Sequence, residues 1–349
     1  MTLPVIDEKF LIRFLVDLLN TASPTGYAEP GIAFVEKTLS AYPNISLLRT
    51  RKGALVAKWP GRSISAPRAL TAHVDTLGAV VKEIKPNGRL RLSRLGGLIL
   101  NGVETEGCWV ITNAGRRVRG SYMFEKASAH VYAALVNETR RAEDNMEVRL
   151  DARTTSAEET RALGIEVGDF VCFDPRVEVT EGFIRARFLD DKACVAAVVA
   201  SIKALQDAGL QPAQDVYFHF SNYEEVGHGA SAGIPNVVHE LVTVDMAAVG
   251  DGQNSDEFHA TLCIKDSGGP YHHGLSQKMR ALADLHGIDY RADIYPYYGS
   301  DGEAYWRAGA DVAVALIGPG VDASHNYERT HTEALLATTN WISAYLLAE

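Results

Sequence analysis

Between about Val80 and Phe188 the chain stops alternating helices with strands, runs through short β segments divided by turns, and then resumes the alternation. That order constrains the fold more than any other feature. Two α/β stretches separated by a β-rich stretch can bury their apolar faces as one α/β sandwich carrying an inserted module. The pattern predicts a mixed-sheet α/β domain, discontinuous over 1–76 and 186–349, with a β-rich insert over 77–185. Ahead of the insert, Leu11, Phe14, Leu15, Leu18 and Leu19 recur at helical spacing and Ser23-Pro24 closes the helix. Ile32, Val35 and Leu39 mark a second helix, and 54–59 and 69–75 read as strands. Inside the insert, Asn87-Gly88 predicts a tight hairpin, Gly96-Gly97, Gly115 and Gly120 further turns, and Ser156 with Glu159 a helix start. Beyond Asp190, an apolar stripe of Val195, Val198, Val199, Ile202 and Leu205 predicts a helix closed by Gly209. Val216, Phe218 and Phe220 alternate as a strand, and 241–244 and 312–317 read as buried strands. Three further helices carry Leu275, Met279, Leu282 and Leu285, cover 302–308, and begin near Thr332 as N-cap.

With 46% apolar and 22% charged residues, the 349-residue chain can bury a core. The formal charge of −10, from 34 basic and 44 acidic side chains, repels phosphate backbones and argues against a nucleic-acid partner. The first apolar stretch, Phe10 to Leu19, is broken by Arg13 and Asp17, and nowhere do about 18 apolar residues run together, so no membrane span is expected. Cys108, Cys172, Cys194 and Cys263 are scattered without a CxxC pair, which argues against a thiolate site or disulfide framework and suits the cytoplasm.

The chemistry sits in five short signals at loops or strand ends of the α/β part: His73-Val74-Asp75, Asp190-Asp191, Glu224-Glu225, Asp245 and His325. Residues two apart on a strand share a face, so Asp75 can lie beside His73 and fix its imidazole in a metal-binding tautomer. Glu224-Glu225 follows an alternating strand, where open α/β sheets place their crevices. At such an end both side chains can turn inward, one to bind metal and one to take a proton from water. Asp245 ends an apolar strand, where a carboxylate is costly to bury unless paired or metal-bound. Imidazoles mixed with carboxylates suit zinc, cobalt or manganese better than calcium or magnesium.

Taken in order, His73-Val74-Asp75, Asp190-Asp191-Lys192, Glu224-Glu225-Val226-Gly227, Val244-Asp245-Met246 and a late histidine resemble the glutamyl/deblocking, TET-type aminopeptidases, a family of dinuclear metallopeptidases. Gly96-Gly97, Gly168-Asp169 and Gly299-Ser300-Asp301 extend the likeness over nearly the whole chain. An insert ahead of the Asp-Asp pair, rather than after the Glu-Glu pair, separates this branch from related di-zinc carboxypeptidases and deacylases. The resemblance implies a barrel or PDZ-like insert used in dimerisation and substrate access. It implies two divalent ions, zinc first, with His73, Asp190 and Asp245 holding one and Asp190, Glu225 and His325 the other. It further implies Glu224 as general base, Asp75 as the group orienting His73, short peptides as substrate, and a homo-oligomer that reaches a dodecamer built from dimers. Two departures stand out: Thr76-Leu77 replaces the family's Glu-Ile, and the family's late His-Ser-Pro-x-Glu appears as 324–331, where both His325 and His331 are present. The spacing to the last helix in the resembling family points to His325.

Two rival readings differ in substrate or in kind. One is a di-zinc amide hydrolase acting on an N-acylated small molecule or dipeptide; Tyr327-Glu328-Arg329-Thr330-His331 is similar to a branch that accompanies synthesis of the osmolyte N-acetylglutaminylglutamine amide. The other is an inactive metal-stabilised scaffold, against which Glu224 argues, because a structural site needs no spare carboxylate. Among the remaining histidines, His219 reads as a packed strand residue and His130 as an oligomer contact, while Asp301 reads as a support for the cleft.

Overall fold

A computed structural model describes residues 2–349. The chain forms two compact units, one made of 1–76 with 176–349 and the other of 77–175. The return to the first unit thus falls before residue 186, because the strands Glu178–Thr180 and Phe183–Ala186 form a three-stranded sheet with Glu328–His331.

The first unit is built on a ten-stranded mixed sheet. Its middle is parallel: Ser63–His73 lies between Gln214–Ser221 and Glu240–Val244, and Ala313–Val321 follows. Leu70, Phe218, Phe220, Val242, Val244 and Leu316 are almost wholly buried, as expected for strands covered on both faces. The first helix, Glu8–Leu19, is started by Asp7, whose carboxylate accepts from Phe10 N at 3.0 Å, and buries the five apolar residues that recur along one face. The helix Leu189–Asp207 departs from the striped pattern expected. Besides the predicted stripe it buries Ala193, Ala196, Ala197, Ala200, Ser201 and Ala204, so it runs through the interior. Helices Glu8–Leu19 and Thr332–Leu347 pack against it, and small side chains between the large ones permit that approach. The last helix starts at Thr332, but its N-cap is His331, whose Nδ1 accepts from Glu333 N at 3.2 Å, and not Thr332.

The second unit is a closed barrel of six antiparallel strands, in the order Gly78–Ile84, Leu90–Leu95, Met146–Leu150, Arg117–Phe124, Gly107–Ile111, Phe170–Phe173. Closure removes exposed sheet edges. The turn at Asn87-Gly88 has Gly88 at φ 81°, and Ser156 caps the helix Ala157–Ala162 by accepting from Glu159 N at 3.2 Å. Among the described residues no helix is long and apolar enough to cross a membrane.

Candidate metal centre

Parallel register brings the site together. Ser221 pairs with His73, and Thr243 pairs with Thr71, so three neighbouring strands end at one level and release Asp75, Glu224-Glu225 and Asp245 into the crevice beyond their carboxyl ends. His73 is 2% exposed; its Nε2 lies 3.1 Å from Asp190 Oδ1 and 3.7 Å from Glu224 Oε2. The other Asp190 oxygen, Oδ2, lies 3.6 Å from His325 Nε2, which in turn lies 3.7 Å from Glu225 Oε2. Donor atoms of His73, Asp190 and Asp245 lie within 4.8 Å of one another, close enough for one cation bound at about 2 Å from each to draw them together. The structure thus brings the side chains of His73, Asp190, Glu224, Glu225, Asp245 and His325 to one place.

The electrostatics call for positive charge. Burial raises the pKa values of Asp191, Glu224 and Glu225 well above the carboxylate range. Burial, reinforced by the neighbouring Asp190, pushes Asp245 up to about 7. Burial also works to raise Asp190, but the hydrogen bond from His73 and the charges of His73 and His325 outweigh it and hold this carboxyl below its ordinary value. For His73 burial works downward, and Asp190, Glu224, Asp191 and Asp75 overcome it, holding the imidazole well above its ordinary pKa. The Lys192 ammonium, adjacent in sequence, donates instead to Leu18 O at 3.0 Å and Thr21 O at 2.7 Å. Imidazole nitrogens among an excess of buried carboxylates fit divalent cations, which would offset the cost of burying like charges.

The parts that aim these donors differ from the expected scheme at Asp75. The strand ends at His73, so Asp75 does not share its strand face. The His73 Nδ1 donates to the Asp75 backbone oxygen at 2.8 Å, while its distance to Asp75 Oδ1 is 3.8 Å. The fully buried Asp75 carboxylate instead accepts from Thr25 Oγ1 at 2.7 Å, Glu224 N at 3.2 Å and Glu225 N at 3.4 Å. Asp191 Oδ2 accepts from His73 N at 3.0 Å. Glu328, which sequence reasoning left without a role, is buried and accepts from Asp190 N at 3.2 Å and His325 N at 3.0 Å, tying two donor loops to one carboxylate. Its place three residues after His325 was the available signal. Three of these loops also contain a non-glycine residue with left-handed backbone: Phe188 at φ 74°, Tyr223 at φ 75° and His325 itself at φ 66°. Such conformations cost roughly 1–3 kcal/mol each and persist where surrounding structure over-determines them.

The late histidines part company. His325 faces Asp190 and Glu225. His331 caps the last helix and packs edge-on against Phe183 and tilted against Phe258, with ring centroids 4.9 and 5.1 Å away. His219 is packed in its strand: its Nδ1 lies 3.0 Å from Thr71 Oγ1, and burial pushes its pKa down to about 3.

Comparison with known proteins places the chain in a family. The sequence profile of the M42 glutamyl aminopeptidase family matches residues 53–340. The chain is 44% identical over 336 residues to the "Putative aminopeptidase YhfE" of Bacillus subtilis, covering 96% of each. It is 26% identical over 184 residues to the lysyl aminopeptidase of Pyrococcus furiosus, covering 50% of this chain and 48% of that one. The fold is that of the aminopeptidase APDkam598 from Desulfurococcus kamchatkensis, with a TM-score of 0.87 at 20% identity over 98% of this chain and 96% of that one. It is also that of the Pyrococcus horikoshii TET1 peptidase, described as assembling into a tetrahedron or a large octahedral shell, with a TM-score of 0.86 at 20% identity over 97% and 100% of the two chains. The chain belongs to the M42 glutamyl aminopeptidase family and is a peptide hydrolase.

Proposed function

We propose that the protein is a dinuclear-metal aminopeptidase that removes N-terminal residues from short peptides. The observation that carries this reading is the placement of the two Asp190 oxygens, one 3.1 Å from His73 Nε2 and the other 3.6 Å from His325 Nε2. One carboxylate can thereby serve two cations, the first completed by His73 and Asp245, the second by Glu225 and His325. Zinc, cobalt and manganese all suit these donors, zinc best in a mixed imidazole and carboxylate set. Divalent cations held there would acidify water and polarise a peptide carbonyl.

The chain's own residues supply the proton handling. Glu224 keeps a largely buried carboxylate at the edge of the donor cluster, 3.7 Å from His73 Nε2, a position that suits a group that takes a proton from water and returns it to the departing amine. Glu225 sits on the other side, toward His325. Asp75 and Glu328 hold the loops through backbone N–H groups and so keep these carboxylates in place. We further propose that the protein is cytoplasmic, in keeping with four buried cysteines that include no CxxC pair, and acts as a homo-oligomer, with the barrel unit serving assembly and substrate access.

Elemental analysis of the purified protein and of Asp190→Ala, with turnover of a panel of aminoacyl amides and N-acylated amides, tests the reading. Two divalent ions per chain, reduced in Asp190→Ala, and cleavage of free-amine substrates are expected. Full occupancy in Asp190→Ala would refute the bridge, and exclusive cleavage of N-acylated substrates would refute the aminopeptidase.

A further inference from the structure

The loop that follows Glu224-Glu225 is gripped by a cation on one side and an anion on the other. Lys52, in the turn between the strands Ser46–Arg49 and Leu55–Trp59, donates from Nζ to the carbonyl oxygens of His228 and, at 2.6 Å, of Gly229, and to Ser231 Oγ at 2.9 Å. Asp301, at the start of the helix Asp301–Arg307, meets the same segment with Oδ1, which accepts from Ala230 N at 2.6 Å. Its Oδ2 accepts from Ser221 Oγ at 2.5 Å and Thr71 Oγ1 at 3.1 Å. Because Thr71 gives its hydroxyl proton to Asp301, it accepts from His219 Nδ1, which extends the polar layer into the strand that leads to the glutamates.

The grip is tight and close to the glutamates. A Cβ added to Gly229 would stand 1.7 Å from Asp301 Oδ1, so only glycine lets the backbone pass. Between Glu225 and the clamped segment lie only Val226 and Gly227, and Gly227 has φ 81°. Gly227 N donates to Glu224 O at 2.7 Å and His228 N to Tyr223 O at 2.9 Å, so backbone hydrogen bonds join the clamped segment to the turn that bears the glutamates. An ammonium against carbonyls and a carboxylate against an N–H of one short segment polarise the peptide groups between them in the same sense.

We propose that Lys52 is a positioning residue for peptide hydrolysis: with Asp301 it clamps 228–231 and thereby fixes the Glu224 carboxylate against His73. The inference rests on the reading that Glu224 handles the proton. Lys52 stands outside the sequence signals that mark the metal cluster, and its ammonium donates to His228, Gly229 and Ser231 and not to the cluster carboxylates.

The test compares Lys52→Met and Lys52→Arg with the unaltered, metal-loaded protein by kcat and KM on an aminoacyl p-nitroanilide, metal content, Tm and amide hydrogen exchange across 223–232. Misplacement of a catalytic group by about 1 Å costs on the order of 10²-fold. Lys52→Met is therefore expected to lower kcat by about 10- to 100-fold with KM, metal content and Tm nearly unchanged, and to speed exchange in 226–231 alone. Lys52→Arg is expected to recover most of the loss, since a guanidinium can again donate to the carbonyls. Unchanged kcat or unchanged exchange in Lys52→Met would overturn the proposal, as would a loss that merely follows lost metal or a lowered Tm. If the unaltered protein cleaves no member of the panel, the hydrolase reading fails, while the exchange comparison still decides whether Lys52 holds the loop.

Discussion

Glu224 and Glu225 are chemically identical neighbours whose carboxylates face different imidazoles, His73 and His325 respectively. Their substitution should therefore produce different losses. Glu224→Gln is expected to keep metal content and Tm and to lose about 10²–10⁴-fold in turnover, the usual contribution of a positioned general base. Glu225→Ala is expected to lose metal and, because a ligand bound only by the native state stabilises it, to lower Tm as well. Near-normal turnover in Glu224→Gln would remove that residue as the base. The late histidines give a second pair: His325→Ala should deplete metal, whereas His331→Ala should leave metal intact and weaken the last helix by about 0.5–2 kcal/mol through loss of its cap. Removing the metal should also invert the response to pH. Burial and then Asp190 push Asp245 up to about 7, and Asp191, Glu224, Glu225 and His73 are shifted upward too. At these groups the folded metal-free chain holds more protons than the unfolded one, outweighing the opposite shifts of Asp190 and His219, so their contribution to stability is full below the ordinary carboxyl range near 4 and is lost as pH rises toward and past about 7. Melting of stripped protein at about pH 5.5 and 7.5 should give the lower Tm at the higher pH, and added zinc should close the gap; equal melting in the stripped state would count against this electrostatic picture. The clustered donors were legible where they end a strand or open a helix beside recognisable neighbours, as His73, Asp190, Glu225 and Asp245 do. The tasks of Asp75 and Glu328 were not, because both carboxylates bind backbone N–H groups of distant loops, and a backbone donor leaves no mark in the side-chain pattern.

Secondary elements were read best where apolar spacing alone decides them. The helix Glu8–Leu19 and the buried parallel strands follow from periodicity, and the hairpin at Asn87-Gly88 from the backbone freedom of glycine. The helix Leu189–Asp207 exposes the limit of that logic. Its alanines carry too little hydrophobicity to register as a core face, yet their small size is what admits the neighbouring helices. Ala197→Leu separates the two descriptions. It lies off the predicted stripe and is fully buried, so the substitution should destabilise the protein by about 1–3 kcal/mol in denaturant unfolding. A neutral result would restore a solvent-facing side to this helix. Loop conformation was the least legible feature. Phe188, Tyr223 and His325 adopt left-handed backbone without being glycine, a state imposed by tertiary contacts and not by local preference.

At the scale of the whole molecule, the proposal that the protein acts as a homo-oligomer is open to a direct measurement. Under that proposal, light scattering coupled to size exclusion at micromolar concentration should report a homo-oligomer of at least two chains and, for complete assembly, twelve. A monomer as the single species would refute the assembly proposal. The central strand Ser63–His73 finds both of its partners, Gln214–Ser221 and Glu240–Val244, only after the chain has passed through 77–175. Such distant pairing is slow, since loop-closure entropy must be overcome before the contacts form. The barrel, whose strand pairs all fall within 77–175, can collapse first, during which time the unpaired edges and apolar faces of Ser63–His73 lie open to other chains. Refolding from denaturant should consequently be multiphasic, with metal uptake confined to the slowest phase, and yield should fall steeply as protein concentration rises.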